Sequence, residues 1–371
     1  MGNKKKVLFL VNHDIVIYNF RKELVEYLID DGHEVYISSP FGGKIDLLIE
    51  MGCKYIETNI NRHGTNPIQD IKLIMHYKNI IKDIKPEVVL TYTIKPNIYG
   101  GIVCRMLNVP YISNITGLGG AIENEGLTKW ISLQLYRIGL KKAKCVFFQN
   151  QANRKFMIDN YVTTAKERLI PGSGVNINEF SYKEYPKDTQ SFKFLFVGRI
   201  MRDKGIEELA EAAKVIKKEY ANVQFDALGF CETEYEERIQ LLQKENIITF
   251  HGVKDNIRSY LENCSAIIHP TYHEGMSNVL LEAAATGRPI LASNISGCKE
   301  IFDEGVSGFS FEVKDVESLI SSISKFMRLS VEEREVMGIE ARKKVTKEFD
   351  RQIIVNAYLD EIDAIIKGNI K

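Results

Sequence analysis

The sequence predicts an α/β protein of two Rossmann-like open parallel-sheet domains, and three observations carry this. Short apolar runs recur along the chain at intervals that leave room for one helix each. The rhythm breaks over residues 171–191, where Pro171, Gly172, Gly174, Asn176, Asn178 and Pro186 gather. The length, 371 residues, exceeds what one core usually serves. The expected parts are a domain over 1–185, a second over 186–350, and a last segment over 351–371. Its apolar residues Ile354, Tyr358, Ile362, Ile365 and Ile366 have helical spacing.

Over residues 6–11, Lys6 leads a five-residue apolar run, Val7 to Val11, that ends at polar Asn12, as a buried parallel strand would. Phe20, Leu24, Tyr27 and Leu28 predict one helix over 18–31, stopped by Gly32. Strands are then expected at 34–38, 87–91, 111–113 and 144–149. After the break come a strand at 192–197, a helix at 206–220, and strands at 223–227, 247–250, 266–269 and 289–292. Ligands of such sheets bind beyond the carboxyl ends of the strands, so a cleft between the two domains is the expected site.

Composition narrows the function. Hydrophobic residues are 44% and charged residues 26%, which excludes a disordered or fibrous chain. Basic and acidic residues both number 49, so nucleic-acid binding driven by overall charge is not expected. The balance is uneven along the chain. Residues 1–185 hold 24 basic and 18 acidic side chains, and residues 186–371 hold 25 and 31. A basic first half suits an anionic partner such as a phosphate or a lipid head group. The six cysteines include no Cys-x-x-Cys pair and read as reduced, mostly buried residues of a cytoplasmic protein. The opening apolar run is too short for a secretion signal, and nothing approaches a membrane span. A Gly-x-Gly-x-x-Gly after the first strand, a Walker loop and an Asp-x-Asp pair are all missing. Those absences weaken dinucleotide, P-loop and divalent-metal readings.

Two constellations bear chemistry. In the first, Val197-Gly-Arg-Ile-Met-Arg-Asp-Lys-Gly205, Gly198 permits a tight turn after a strand. Arg199 and Lys204 flank the loop that opens the next helix, and two cations with a helix start suit a polyanion. The second runs from His269 to Pro289. Glu274 stands in the loop before a helix predicted over 277–286, and Glu282 lies inside it. The amides of Gly275, Met276, Ser277 and Asn278 would form an anion-binding helix start. A carboxylate at Glu282 could accept from a vicinal diol. Its neighbours Leu280, Leu281 and Ala283 to Ala285 are poor company for a merely solvated charge.

The order Val-Gly-Arg-x4-Lys-Gly, Pro-x3-Glu-Gly-x6-Leu-Glu-Ala and Gly-x-Pro-Ile resembles the GT-B retaining glycosyltransferases of family 4, over essentially the whole chain. Gly297-Cys-Lys-Glu-Ile301 and Gly305-Val-Ser-Gly308 fit the same pattern. Tyr18-Asn-Phe-Arg21 and Thr116-Gly-Leu-Gly-Gly120 resemble its subgroup that builds bacterial surface polysaccharides and lipid-linked glycans. The resemblance implies an acceptor-binding first domain, a nucleotide-sugar-binding second domain, and a last helix that crosses back to the first. Arg199 and Lys204 would hold the donor diphosphate. Glu282 would bind the ribose, Glu274 would face the donor sugar, and the amides of Gly275 to Asn278 would touch the sugar and β-phosphate. It also implies transfer with retention by front-face attack, from a UDP-linked hexose or N-acetylhexosamine. The acceptor would be an oligosaccharide or polyprenyl-diphosphate-linked glycan, with neither metal nor cofactor. Two departures are visible: Gly275-Met276-Ser277 replaces the usual Gly-Phe-Pro, and Asn12-His13-Asp14-Ile15-Val16 replaces a glycine-rich loop.

On the acceptor side, His13, Asp14, Thr116 and Gly117 follow predicted strands. Local hydrogen bonding or a flexible turn would explain them equally well. His269 and His273 are separated by Pro270 and lack further ligands, so no metal site is expected there. Residues 68–85 carry Ile71, Ile74, Met75, Ile81 and Ile84 beside Lys72, Lys78, Lys82 and Lys85. Residues 127–144 hold Trp130 with Lys141, Lys142 and Lys144. Either stretch is a core-packed helix or a basic amphipathic helix lying on an anionic membrane. The expected location is the cytoplasm, peripheral at the inner membrane face. The rivals are a nucleotide-sugar 2-epimerase of the same fold and a non-catalytic nucleotide-sugar-binding protein.

Overall fold

The structure is a computed structural model that describes residues 4–60, 66–117, 126–187 and 191–368. The chain forms two units, Met1–Ser173 with Gln352–Lys371, and Gly174–Arg351. The first boundary therefore lies at residue 173, not 185. Residues 174–185 are bonded into the second unit. Val175 N–H donates to Phe349 O (2.9 Å), Tyr185 Oη donates to Ser265 O (2.9 Å), and buried Arg288 donates to the carbonyl of Glu184 (2.8 Å). Polar punctuation marks a change of direction in the chain, and these contacts decide which core the segment joins.

The first unit holds seven parallel strands: β1 Lys6–Leu10, β2 Glu34–Ser39, β3 Lys54–Glu57, β4 Val88–Tyr92, β5 Tyr111–Ile115, β6 Cys145–Phe148 and β7 Lys166–Leu169. Their order is β3-β2-β1-β4-β5-β6-β7. The central strands are apolar runs because both faces are covered. Phe9, Val35 and Leu90 pack on one face, and Leu8, Leu10 and Val89 on the other. Helices Pro67–Ile84, Gly101–Leu107 and Leu127–Leu140 lie side by side on the second face. Helix Arg351–Gly368 supplies Ile354, Tyr358 and Ile362 to the first.

The helix expected over 18–31 is shorter, Lys22–Asp30, and a separate short helix, Asp14–Tyr18, precedes it across a break at 19–21. The interruption delivers Arg21 into the core, where it is 2% exposed. Its guanidinium lies 5.4 Å from the ring centroid of Tyr92 and 5.2 Å from that of Tyr358. One Nη donates to Phe20 O. Asn114 Nδ2 donates to Tyr358 Oη (2.6 Å), so a polar cluster sits inside an apolar core.

The second unit repeats the architecture with β8 Phe192–Val197, β9 Val223–Leu228, β10 Thr249–Phe250, β11 Ala266–His269, β12 Ile290–Ser293 and β13 Gly308–Phe311. The order is β10-β9-β8-β11-β12-β13, all parallel. The strand order reverses between β8 and β11, the place where open α/β sheets bind ligands. Among the described residues no helix is long and apolar enough to cross a membrane.

Candidate functional site

Both chemistry-bearing constellations leave the sheet at this reversal. Gly198 follows β8, and its N–H donates to Leu228 O (2.9 Å). Gly229 crosses so near that a Cβ on it would stand 1.9 Å from Gly198 O. The chain then makes a short 3-10 turn, Arg202–Lys204, ended by Gly205 at φ +71°. A Cβ at residue 205 would lie 2.0 Å from Pro270 O. Glycine thus sets the loop after β8 directly against the loop after β11. Tyr272 N–H seals the pair by donating to Asp203 O (2.9 Å).

That approach brings Lys204 and Glu274 together across 70 residues of sequence. Lys204 Nζ lies 2.5 Å from Glu274 Oε1 and 3.3 Å from Thr271 Oγ1. The same carboxylate oxygen is 3.1 Å from His269 Nε2. The side chains of Lys204, Glu274 and His269 are 19%, 18% and 4% exposed, so this ion pair is screened far less than a surface one. Burial alone would push the Glu274 carboxyl up. The hydrogen bond and charge of His269, then the charge and hydrogen bond of Lys204, overcome it and hold the carboxyl at about 2. Glu274 is therefore ionised at neutral pH and can accept hydroxyl hydrogen bonds. Sequence reasoning weighed His269 only as a metal ligand. Its place as the last residue of β11, beside the reversal, was the signal for a role in the Glu274 site.

The helix that follows is Asn278–Ala285, with Ser277 as its N-cap. Its start differs from expectation in one respect: Ser277 N–H is already taken, donating to Gly297 O (2.8 Å). Gly297, at φ +88°, packs its Cα against the carbonyls of Glu274 and Gly275 and holds the turn in place. Met276 is buried beneath it. Asn278 Oδ1 and His269 Nδ1 are buried with no hydrogen-bond partner among the described residues.

Glu282 lies one turn inside this helix, half-buried between Leu281 and Ala283. Among the described residues no hydrogen bond reaches its carboxyl. Burial pushes that carboxyl up to about 8, against the pull of Arg351 and with the push of Glu179. Protonated at neutral pH, it offers one donor and a spare acceptor, a match for two neighbouring hydroxyls. Arg199 stands apart from these groups. It is half-exposed and pairs with Glu232 at 3.3 Å.

In the first unit, His13 caps helix Asp14–Tyr18, its Nδ1 accepting from Ile15 N–H (3.3 Å) and also contacting Asp14. Asp14 is 1% exposed and accepts from Lys44 N–H (2.6 Å). Both are therefore engaged in local structure. Thr116 and Gly117 follow β5, half-buried, while residues 118–120 of that loop lie outside the described residues. Among the described residues no group of three or more His, Cys, Asp or Glu is placed to hold a metal ion.

Comparison with known proteins agrees with this layout. Residues 6–150 match the family described as glycosyl transferase 4-like, and residues 178–344 match glycosyl transferases group 1. The chain is 24% identical over 382 residues to a Campylobacter jejuni enzyme, N,N'-diacetylbacillosaminyl-diphospho-undecaprenol alpha-1,3-N-acetylgalactosaminyltransferase. That alignment covers 98% of this chain and 100% of the relative. It is 27% identical to the Escherichia coli UDP-Gal:alpha-D-GlcNAc-diphosphoundecaprenol alpha-1,3-galactosyltransferase, over 76% of each chain. Among solved structures, Anabaena HepE in complex with UDP and glucose superposes with a TM-score of 0.79 at 16% identity. The match covers 97% of this chain and 100% of that one.

Proposed function

Since the chain belongs to the group 1 glycosyltransferases and has the GT-B fold, we propose that it transfers a hexose or N-acetylhexosamine, with retention, from a UDP-sugar to a polyprenyl-diphosphate-linked glycan. The product would serve surface-polysaccharide synthesis, capsule included. The observation that carries this reading is the Lys204–Glu274–His269 cluster, set at the strand reversal just before the helix that bears Glu282.

Breaking a sugar–diphosphate bond leaves negative charge on the departing phosphate. Lys204 is the cation placed to receive it, with Arg199 on the same loop and the start of helix Asn278–Ala285 as further sources of positive potential. Glu274, ionised and held on one oxygen, keeps its other oxygen for a sugar hydroxyl. Glu282 meets the ribose diol. The acceptor hydroxyl attacks the face that the diphosphate leaves, and a phosphate oxygen takes its proton. Turnover is expected to survive chelation by EDTA. The relatives' lipid-linked acceptors support an enzyme that works at a membrane surface. So do the exposed Ile68 and Ile71 on helix Pro67–Ile84 and Leu127 and Trp130 on helix Leu127–Leu140.

The test is a thermal-shift screen of nucleotide sugars, followed by UDP release on adding lipid-linked acceptor. A donor at a hundred times its Kd should stabilise the chain by about 2.7 kcal/mol, and Glu282→Ala should abolish the shift. A donor that binds equally well to that variant refutes the ribose assignment. UDP release that is indifferent to every lipid-linked acceptor refutes the transfer reading in favour of an epimerase or a binding protein.

A further inference from the structure

Lys204 is the cation at the leaving group, yet burial does not fix the turn it stands on. No residue of the turn Arg202–Lys204 is buried. The helix that follows, Ile206–Glu219, starts at Gly205 without a side-chain cap. A lysine ammonium rides on a long flexible stem, so its place depends on how the backbone beneath it is held. What holds this turn is polar and comes from residues 270–272. Gly205 lies against Pro270. Thr271 Oγ1 is 3.4 Å from Asp203 O, and Tyr272 N–H donates to the same carbonyl (2.9 Å).

Tyr272 also grips the chain a second time. The residue is 6% exposed, and its hydroxyl donates to Glu208 Oε1 (2.7 Å), 64 residues away in sequence. Glu208 stands in the first turn of helix Ile206–Glu219. Lys314 Nζ covers the tyrosine ring, 4.7 Å from its centroid. Burial, then the hydrogen bond and charge of Glu208, push the phenol up, so it remains a donor well above neutral pH. One residue thus holds Asp203 with its backbone and Glu208 with its side chain, on either side of Lys204. The other oxygen of Glu208 is buried with no hydrogen-bond partner among the described residues. A carboxylate oxygen buried that way costs stability, so folding alone gives a poor account of the pair.

We propose that Tyr272, braced by Glu208, is a positioning residue that sets Lys204 against the diphosphate of the donor. The assignment rests on the transferase reading above. Equilibrium binding of UDP and UMP to the full chain tests it, because Lys204 serves the diphosphate and UMP carries only one phosphate. Tyr272→Phe should weaken UDP about tenfold, the usual worth of a displaced charged hydrogen bond, and leave UMP unchanged. Glu208→Ala should do the same. Glu208→Gln keeps an acceptor for the phenol and should stay close to wild type. In the Lys204→Met background, where UDP has already lost its cation, adding Tyr272→Phe should change neither affinity. UMP affinity, read in every variant, reports an intact fold.

Unchanged UDP affinity in Tyr272→Phe, or equal losses for UDP and UMP, overturns this role and leaves the transferase reading standing. So does a loss of the same size in the Lys204→Met background, since the effect would then not pass through Lys204. A wild type that binds UDP no more tightly than UMP takes Lys204 away from the diphosphate and overturns the positioning role with it. A wild type that binds neither overturns the UDP-sugar reading as well.

Discussion

Replacing Lys204 by methionine should separate its contribution to stability from its contribution to turnover. The Glu274 carboxyl lies at about 2 against an ordinary 4.5. That difference is equivalent to about 3 kcal/mol of favourable interaction with the ionised form at neutral pH. His269 supplies the larger part, so the variant should lose about 1 kcal/mol of folding stability. The sign follows from the direction. A depressed carboxyl stabilises the folded chain above its unfolded value of 4.5, and that stability is lost as pH falls toward 2. The gap between wild type and variant should therefore be constant above about pH 4 and narrow toward about pH 2. Turnover should fall further, by about 10²- to 10³-fold, the usual effect of removing one group that meets developing charge. Urea denaturation across that pH range and initial rates of UDP release read the two quantities separately. A stability gap as large at about pH 2 as at neutral pH would refute the ion-pair argument. A rate loss no larger than the stability loss can explain would refute the role in leaving-group stabilisation.

Glu282→Gln should change the pH profile in the opposite sense. Its carboxyl is raised to about 8, so the wild type loses stability as pH rises from 4.5 toward 8, by up to about 1.4 kcal/mol per pH unit. The glutamine variant lacks this slope and should gain on the wild type over that range; parallel urea midpoints would contradict the burial argument. Tyr358→Phe removes the acceptor for Asn114 Nδ2 and leaves a buried donor unmet. Urea unfolding should show a loss of about 1–3 kcal/mol, and a loss below a few tenths would mean that Asn114 finds another partner.

The central strands were legible because a strand buried on both faces must be a continuous apolar run. Lys6–Leu10, Val88–Tyr92 and Ala266–His269 all obey this. The strands Lys54–Glu57, Lys166–Leu169 and Gly308–Phe311 were not foreseen. Each lies at the outer edge of its sheet, where a short four-residue strand without a continuous apolar run suffices. The break at residues 19–21 escaped because spacing reports an apolar face. It gives no sign that Arg21 will be buried between two tyrosines contributed by β4 and the last helix. The motifs marked Lys204 and Glu274 as separate donor-binding residues but gave no sign of their ion pair, and the ion pair of Asp70 with Lys95 had no motif to announce it. Local pattern carries the elements; contacts between distant elements become visible only once the sheet order is known.

The segment that returns to the first unit bears on how the chain is made. Ile354, Tyr358 and Ile362 belong to the same apolar layer as Phe9, Val35 and Leu90, yet they leave the ribosome only after all of residues 174–351 have been synthesised. During synthesis the first unit must therefore wait with one face of its sheet uncovered, and with Arg21 and Asn114 lacking the Tyr358 hydroxyl. The second unit contains its whole core in one continuous stretch and can close first. Vectorial synthesis thus reverses the order of completion: the part translated first is finished last, and its exposed apolar layer is where chaperones would engage the nascent chain.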